Sequence, residues 1–168
     1  AKEYFEKEYE ITGLDLPANY CGDRQPGDTM TYYQCNMSQE SAEMAAIFTG
    51  VQPDVILHCA GSANVGASVV NPMADLDGNL HSLYQLLLAL KSFEKRPQII
   101  FFSSAGVYGN PKRLPVRETD ETAPMSPYGL HKHMGEELCE YYNRIYGYHI
   151  RCIRVFSVYG NGLRKQLL

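Results

Sequence analysis

Two short segments of almost uninterrupted apolar residues constrain the fold of this 168-residue chain more than any other feature. Residues 55–57 read Val-Ile-Leu, and residues 99–102 read Ile-Ile-Phe-Phe. A strand with one face in water alternates apolar and polar residues, whereas a strand buried on both faces is apolar throughout. Both segments are therefore predicted to lie in a parallel sheet that helices cover on its two faces.

Helical patterns alternate with the predicted strands along the chain. Apolar residues recur every three or four positions in residues 41–49, 72–93 and 127–146, as expected for helices that pack one face on a sheet. The segments predicted as strands are residues 9–15, 54–60, 98–104 and 150–156. This order predicts an α/β fold with a doubly wound parallel sheet, which is the Rossmann-like class, in a single domain.

Two of the predicted helices have clearly marked starts. Asn71 precedes Pro72, and Ser126 precedes Pro127. A side-chain oxygen at such a position can accept hydrogen bonds from the first turn, and proline fits the next position because no N–H is needed there. Helices are therefore predicted to begin at Pro72 and Pro127.

The balance of charge argues against nucleic acid or an anionic membrane as a partner. The 15 Lys and Arg and 19 Asp and Glu residues give a net charge of −4, which creates no attraction to polyanions. No apolar run approaches the roughly 18 residues of a membrane-spanning helix, and the N-terminus does not resemble a signal peptide, so a cytoplasmic protein is predicted.

The five cysteines lack metal-ligand spacing. We therefore predict no metal site, and we predict that Cys59 and Cys152 are reduced thiols in the core.

The strongest chemical signal is the pair Tyr128 and Lys132, in the first turns of predicted helix 127–146. Residues four apart share one helix face with Cβ atoms about 6 Å apart, so the ammonium can lie near the phenol. A free phenol is only ~0.1% ionised at pH 7, and one cation about 4 Å away supplies roughly the 4 kcal/mol that makes it a base. Ser104, which ends predicted strand 98–104, can relay a substrate proton to it. Y-x-x-x-K alone also occurs by chance in structural helices.

Ligands of doubly wound sheets bind at the carboxyl ends of the strands. The residues at these ends, which we expect to converge on one crevice, are Asp15, residues 60–62, Ser103, Ser104 and residues 156–157. A dinucleotide also needs a glycine-rich turn for its pyrophosphate, yet no G-x-G-x-x-G spacing occurs. We therefore expect the first strand and its phosphate loop to precede residue 1, and a substrate region to follow residue 168, so that residues 1–168 form a partial dinucleotide-binding domain.

Several segments in a fixed order resemble one family, the extended short-chain dehydrogenase/reductases, in their branch of NAD-dependent nucleotide-sugar epimerases and dehydratases. The segments that carry the resemblance are residues 53–61, residues 65–68 with Asn71 and Pro72, Asn79, residues 102–109, residues 126–129 with Lys132, and residues 154–160. They span nearly the whole chain.

The resemblance implies a role for individual residues. The catalytic triad would be Ser104, Tyr128 and Lys132. The cofactor, NAD, would be bound by Asp15, Asn36, Met37, Ala60, Gly61, Asn79, Ser103, Tyr128, Lys132 and Phe156. The substrate, a nucleotide sugar, would contact Ser104, Tyr128 and Ser157. A carboxylate at Asp15 accepts from both ribose hydroxyls and repels a 2′-phosphate, which favours NAD over NADP. The family also implies a homodimer through helices 72–93 and 127–146.

Within the family, the residues after Ser104 favour an epimerase. The dehydratases carry an acidic pair that performs the elimination, whereas this chain has Ala105 and Gly106, and neither can protonate a departing hydroxyl. The pattern therefore resembles UDP-hexose 4-epimerases most. The chain departs from the 4-epimerase pattern at two positions expected to affect binding of the sugar nucleotide. Ala63 stands in place of a lysine, and Ser157 in place of an asparagine. An oxidoreductase or a dehydratase of the same family, and a non-catalytic fragment unable to bind NAD, remain alternatives.

Overall fold

The computed structural model describes residues 8–16, 30–39 and 41–158. Its strands are β1 (Thr12–Asp15), β2 (Thr31–Gln34), β3 (Val55–His58), β4 (Gln98–Ser104) and β5 (His149–Val155). Its α-helices are α1 (Ser41–Val51), α2 (Val65–Val70), α3 (Pro72–Leu76), α4 (Ser82–Ala89) and α5 (Pro127–Tyr146). A π-helical turn (Asp77–His81) joins α3 to α4, and a 3₁₀ turn (Ala105–Tyr108) follows β4.

All strand pairs among the described residues are parallel, which confirms the predicted α/β class with a parallel sheet. The strands form two sheets, one of order β1-β2 and one of order β3-β4-β5. In the larger sheet His58 lies opposite Phe101, and Ser104 lies opposite Val155. The carboxyl ends of β4 and β5 therefore lie side by side, as the sequence predicts for strands that share a ligand crevice.

The core lies between the helices and β4, and it joins the two sheets. Leu83, Leu86 and Leu87 on one face of α4 are fully buried against Ile99 and Phe101 of β4. Helix α1 packs on α4, so its buried residues Met44 and Phe48 belong to the same cluster. Cys35, which follows β2, is also part of it. Burial of a side chain of this size contributes about 1.5–3 kcal/mol.

The predicted starts at Pro72 and Pro127 are confirmed, together with the physical reason for them. Asn71 Oδ1 accepts a hydrogen bond from the Ala74 N–H at 3.1 Å. Ser126 Oγ accepts one from the Gly129 N–H at 3.1 Å. Each cap satisfies a donor that the first turn leaves without a helical partner.

The predicted helix 72–93 is interrupted, and this is the main departure from the expected elements. The π-helical turn widens the helix at Gly78, where the Ser82 N–H reaches back five residues to the Asp77 carbonyl. A Cβ at Gly78 would lie 3.4 Å from the Gly61 Cα, so the widened turn packs closely on the loop after β3. The turn also buries Asn79 completely. Turns of this kind are often found at functional sites.

Some boundaries and several burial predictions are corrected. Helices were predicted to cover both faces of the sheet, but Val55 and Leu57 of β3 are 50% and 46% exposed, so the described residues leave that face of β3 partly uncovered. The predicted strands 9–15, 54–60 and 150–156 are observed as β1, β3 and β5, each offset by one to three residues, whereas 98–104 is confirmed as β4. Strand β2 and helix α2 follow no apolar period and were missed. Cys59 and Cys152 are exposed rather than in the core, because Cys59 lies in the loop after β3 and Cys152 on the outer strand β5. Both are free thiols.

Candidate active site

The first turn of α5 carries Tyr128, and a second helix holds that turn in place. Ser68, buried in α2, accepts a hydrogen bond on Oγ from the Tyr128 N–H at 3.2 Å and donates to the Val65 carbonyl at 2.7 Å. The Tyr128 N–H is one of the donors that a helix start leaves unpaired. The position of Tyr128 is therefore fixed from both the Ser126 cap and α2.

Ser104 and Tyr128 both lie next to Gly106. A Cβ at Gly106 would lie 3.4 Å from Ser104 Oγ and 3.8 Å from Tyr128 Cδ1. Ser104 also caps the 3₁₀ turn, since its Oγ accepts from the Gly106 N–H at 3.1 Å. Gly129 packs on the same turn, and a Cβ there would lie 2.6 Å from the Gly106 carbonyl oxygen. Gly106 thus has both the hydroxyl of Ser104 and the ring of Tyr128 as neighbours, and the two glycines let α5 pack closely on the 3₁₀ turn.

Lys132 lies one helical turn after Tyr128 and is only 5% exposed. Its Nζ lies 5.0 Å from the centre of the Phe101 ring and 6.0 Å from the centre of the Tyr128 ring. Burial lowers the pKa of Lys132 to about 8, because removal from water disfavours the charged form, while the negative charge of Asp75 acts in the opposite direction. The structure therefore brings Ser104, Tyr128 and Lys132 together, as the sequence predicted.

The loop after β3 and the π-helical turn form a close polar contact next to this group. Gly61 has a φ of +106°, and a Cβ there would collide with Asn79 Oδ1. Asn79 Nδ2 donates to the Ser62 carbonyl at 3.2 Å and to Asp75 Oδ1 at 3.1 Å. Asn79 Oδ1 is buried and has no hydrogen-bond partner among the described residues. An open acceptor beside a bare glycine backbone is compatible with a polar cofactor such as a dinucleotide.

The predicted adenosine-binding residues lie at the carboxyl end of the smaller sheet. Asp15 ends β1, is exposed and accepts a hydrogen bond from the Leu16 N–H at 2.7 Å. Asn36 follows β2, and its Oδ1 accepts from the N–H and the hydroxyl of Ser38 at 3.2 and 2.8 Å. Met37 is half-buried and packs against the core.

The remaining predicted residues divide between the two faces of the larger sheet. Ser103 is buried beside Glu136 of α5, whereas Ser104 points to the opposite face because side chains alternate along a strand. Phe156 is 55% exposed after β5, with its ring 6.3 Å from the ring of Tyr108. Ser157 is exposed, and Ala60 is half-buried.

Sequence reasoning missed two buried groups that support this site. Ser68 holds Tyr128 in place, and Asp75 Oδ2 forms a 2.6 Å contact with His131 Nδ1. In the sequence, His131 suggests only half of an improbable metal pair with His133, and the burial of Asp75 has a single signal. Asp75 lies four positions before Asn79, which was the one available signal, since such residues share a helix face.

A buried histidine, His58, lies at the end of β3. His58 is buried, with Nε2 3.3 Å from Ser82 Oγ, but its Nδ1 has no hydrogen-bond partner among the described residues. Burial lowers the pKa of His58 to about 4. In the described part of the chain, no group of three His, Cys, Asp or Glu side chains could hold a metal ion.

The parallel α/β fold, with Ser104 at a strand end and Tyr128 and Lys132 at a helix start, is of the Rossmann-like class. The family model for the NAD dependent epimerase/dehydratase family matches residues 1–167, and the chain belongs to this family. The family resemblance predicted from the sequence is therefore confirmed. None of the helices in residues 41–158 is long and apolar enough to cross a membrane.

Several similar proteins are 4-epimerases of UDP sugars. A putative UDP-glucose 4-epimerase of Methanocaldococcus jannaschii is 42% identical over 108 residues, which cover 64% of this chain and 35% of that protein. UDP-glucuronate 4-epimerase 1 of Arabidopsis thaliana is 36% identical over 70% of this chain and 28% of its own length. The chain thus spans about a third of the length of these relatives.

Solved structures of UDP-glucose 4-epimerases share the fold. The enzyme of Thermotoga maritima, solved with UDP-glucose, is 28% identical and superimposes with a TM-score of 0.83 over 94% of this chain and 51% of that one. The enzyme of Thermus thermophilus, solved with NAD, is 26% identical with the same TM-score, over 94% of this chain and 50% of that one. The chain therefore corresponds to about half of an epimerase structure.

Proposed function

We propose that this chain carries the catalytic part of an NAD-dependent 4-epimerase of nucleotide sugars. The observation that carries the proposal is the arrangement of Ser104 and Tyr128 around Gly106, with the buried Lys132 behind the Tyr128 ring. These are the three groups that a sugar oxidation needs, namely a hydrogen-bonding hydroxyl, a phenol that can act as a base, and a cation that favours the phenolate.

In the proposed reaction Tyr128 removes the proton from a sugar hydroxyl that Ser104 holds by a hydrogen bond. The ammonium of Lys132 stabilises the phenolate, because opposite charges interact strongly in a site with little water. NAD, when bound, supplies reversible hydride storage. The keto sugar then turns its other face towards the cofactor site, and Tyr128 returns the proton. The configuration of one carbon is thereby inverted.

The residues that would hold NAD lie along the carboxyl ends of the strands. Asp15, Asn36 and Met37 would contact its adenosine part. Its remaining contacts would come from Ala60, Gly61, Asn79, Ser103, Tyr128, Lys132 and Phe156. Ser157 would contact the nucleotide sugar together with Ser104 and Tyr128. The Asn79 Oδ1 acceptor, which has no partner within the described ranges, supports this assignment, since a bound cofactor could donate to it.

The similar proteins support an epimerase over the other reactions of the family. The relatives described above are named as 4-epimerases of UDP-glucose or UDP-glucuronate. In addition, Ala105 and Gly106 occupy the 3₁₀ turn beside Ser104, and neither side chain carries a carboxyl group that could protonate a leaving hydroxyl. Elimination of water would need such an acid.

The experiment that tests this function is interconversion of UDP-glucose and UDP-galactose by the protein loaded with NAD. Tyr128→Phe removes only the hydroxyl, so turnover is expected to fall by about 10²-fold or more while the fold is retained. Tyr141→Phe, at an exposed tyrosine of the same helix, is the matched control and should retain wild-type turnover. Full turnover in Tyr128→Phe would refute the assignment.

Two other outcomes would favour the alternatives. Net consumption of reduced cofactor without interconversion of the sugars would indicate an oxidoreductase. Failure to retain NAD in native mass spectrometry would indicate a non-catalytic fragment.

We also propose that α4 and α5 form a homodimer interface, within the predicted helices 72–93 and 127–146. The two helices border a groove of about 760 Å³ lined by Tyr84, Met134 and Tyr141, among others. These three side chains are 38–44% exposed, and apolar surfaces of this kind mark protein interfaces. Tyr141→Glu is expected to lower the mass measured by light scattering to that of a monomer. A wild-type monomer would contradict the proposal.

A further inference from the structure

A buried carboxylate lies between the first turn of α5 and the loop after β3 (residues 59–64), which is the proposed cofactor loop. The side chain of Asp75 is 3% exposed and that of His131 is 10% exposed, and Oδ2 of the first lies 2.6 Å from Nδ1 of the second. The other oxygen of Asp75 accepts from Asn79 Nδ2 at 3.1 Å. Asn79 in turn donates to the Ser62 carbonyl. One carboxylate thus connects two elements of the site.

The contact with His131 is the second of two links that fix the start of α5. Ser68 of α2 accepts a hydrogen bond from the Tyr128 N–H. Asp75 of α3 contacts the ring of His131, which lies three residues after Tyr128. The two links enclose one helical turn, and Lys132 follows it directly. Because a buried carboxylate must keep its partners to remain buried, this connection resists movement more than an exposed pair would.

Asp75 is also the anion that acts on Lys132 within the described residues. The titratable groups that interact with Lys132 are His58, Cys59, Asp75 and Tyr128. His131 is in contact with Asp75. Burial lowers the pKa of His58, and desolvation of its thiol raises the pKa of Cys59, so both are neutral near pH 7. The negative charge that favours protonated Lys132 therefore comes from Asp75.

We propose that Asp75 is a positioning residue of this site, which joins the first turn of α5 to the cofactor loop and keeps Lys132 charged. This inference rests on the proposed function, because it assigns Asp75 to the same reaction. It acts through other residues: His131 and Asn79 transmit its position, and its charge acts on Lys132 through space. If the Asp75–His131 pair only stabilised the fold, folded variants of either residue would keep the wild-type kcat and the wild-type pH profile.

The test compares the wild type with Asp75→Asn, which keeps the shape and removes the charge. The titration of Lys132 is followed by NMR of ¹³Cε-labelled lysine, with Lys132→Met to assign the signal. In Asp75→Asn the midpoint is expected to fall by about one pH unit, and the basic limb of the epimerase pH profile should move with it. Asp77→Asn is the matched control, because Asp77 forms an exposed pair with His81 at 2.7 Å.

Identical Lys132 midpoints in the wild type and in folded Asp75→Asn would overturn the proposal. The NMR titration needs no turnover, so a failure of the proposed function would be visible separately as an inactive wild type. His131→Gln provides the second test should Asp75→Asn fail to fold. It keeps the charge of Asp75, so Lys132 should titrate as in the wild type while kcat falls about tenfold and KM changes less. An unchanged kcat in that variant would refute the positioning role.

Discussion

Gly129 offers a sharp test of how α5 is seated against the rest of the site. Its α-carbon packs on the 3₁₀ turn, where a Cβ would lie 2.6 Å from the Gly106 carbonyl oxygen and 3.2 Å from Pro124 Cβ. Non-bonded heavy atoms normally approach to about 3.5–4.0 Å, so Gly129→Ala requires a displacement of about 1 Å. The atom in contact is backbone, so no side-chain rotation relieves it.

The expected loss of stability follows from two opposing effects. Overpacking of this kind destabilises by about 1–3 kcal/mol, whereas replacing glycine by alanine in a helix stabilises by at most about 1 kcal/mol. We therefore expect Gly129→Ala to lower the free energy of unfolding by about 1–2 kcal/mol. A displacement of about 1 Å between Tyr128 and Ser104 is also expected to reduce turnover in the proposed epimerisation by about 10²-fold.

Urea denaturation followed by circular dichroism measures the stability, and Gly50→Ala is the control. Gly50 lies in α1, and a Cβ there would meet no atom within 4 Å. This variant should be as stable as the wild type or more stable by up to about 1 kcal/mol. If Gly129→Ala were as stable as Gly50→Ala, the close packing between Gly129 and Gly106 would be refuted.

Other variants test the helix cap, the core and a buried histidine, each by urea denaturation. Ser126→Ala removes the cap of α5 and should destabilise by about 1 kcal/mol; an unchanged midpoint would contradict the cap. Leu83→Ala in the core should lose about 2–5 kcal/mol, whereas Val70→Ala, at a side chain that is 86% exposed, should stay within about 0.5 kcal/mol. The pKa of His58 is about 4 when folded and 6.5 when unfolded, so the unfolded chain binds more protons between these values. The stability that the wild type has over His58→Gln should therefore decrease as the pH falls from 6.5 to 4, and a pH-independent difference would contradict the burial of a neutral ring.

The sequence predicted elements whose patterns are long or well marked. Strand β4 and helix α5 were predicted with their observed bounds, because the centre of β4 is an uninterrupted apolar run and α5 starts at a capped proline. Strand β2 has only four residues, three of them Tyr or Gln in the order Tyr-Tyr-Gln, and no alternation distinguishes it from a loop. Short strands of this kind are determined by the neighbouring strand rather than by their own residues.

The placement of Ser104, Tyr128 and Lys132 in one region was predictable from the sequence, whereas the groups that support them were predictable only in part. The spacing of Tyr128 and Lys132, with Ser104 at a strand end, depends on local geometry that a helix and a strand impose. The burial of Asp75 depends on α3 meeting α5, a contact between residues 56 positions apart. A single sequence holds no local signal for such a pairing.

The π-helical turn between α3 and α4 has a consequence for the phase of the two helices. Each added residue rotates the next part of a helix by about 100° around its axis. The wide turn at Asp77–His81 therefore lets α3 direct Asp75 towards α5 while α4 directs Leu83 and Leu87 towards β4. In an uninterrupted α-helix of the same length one of these two faces would be out of register. A single inserted residue thus allows the polar side chain of α3 to face α5 and the apolar side chains of α4 to face β4.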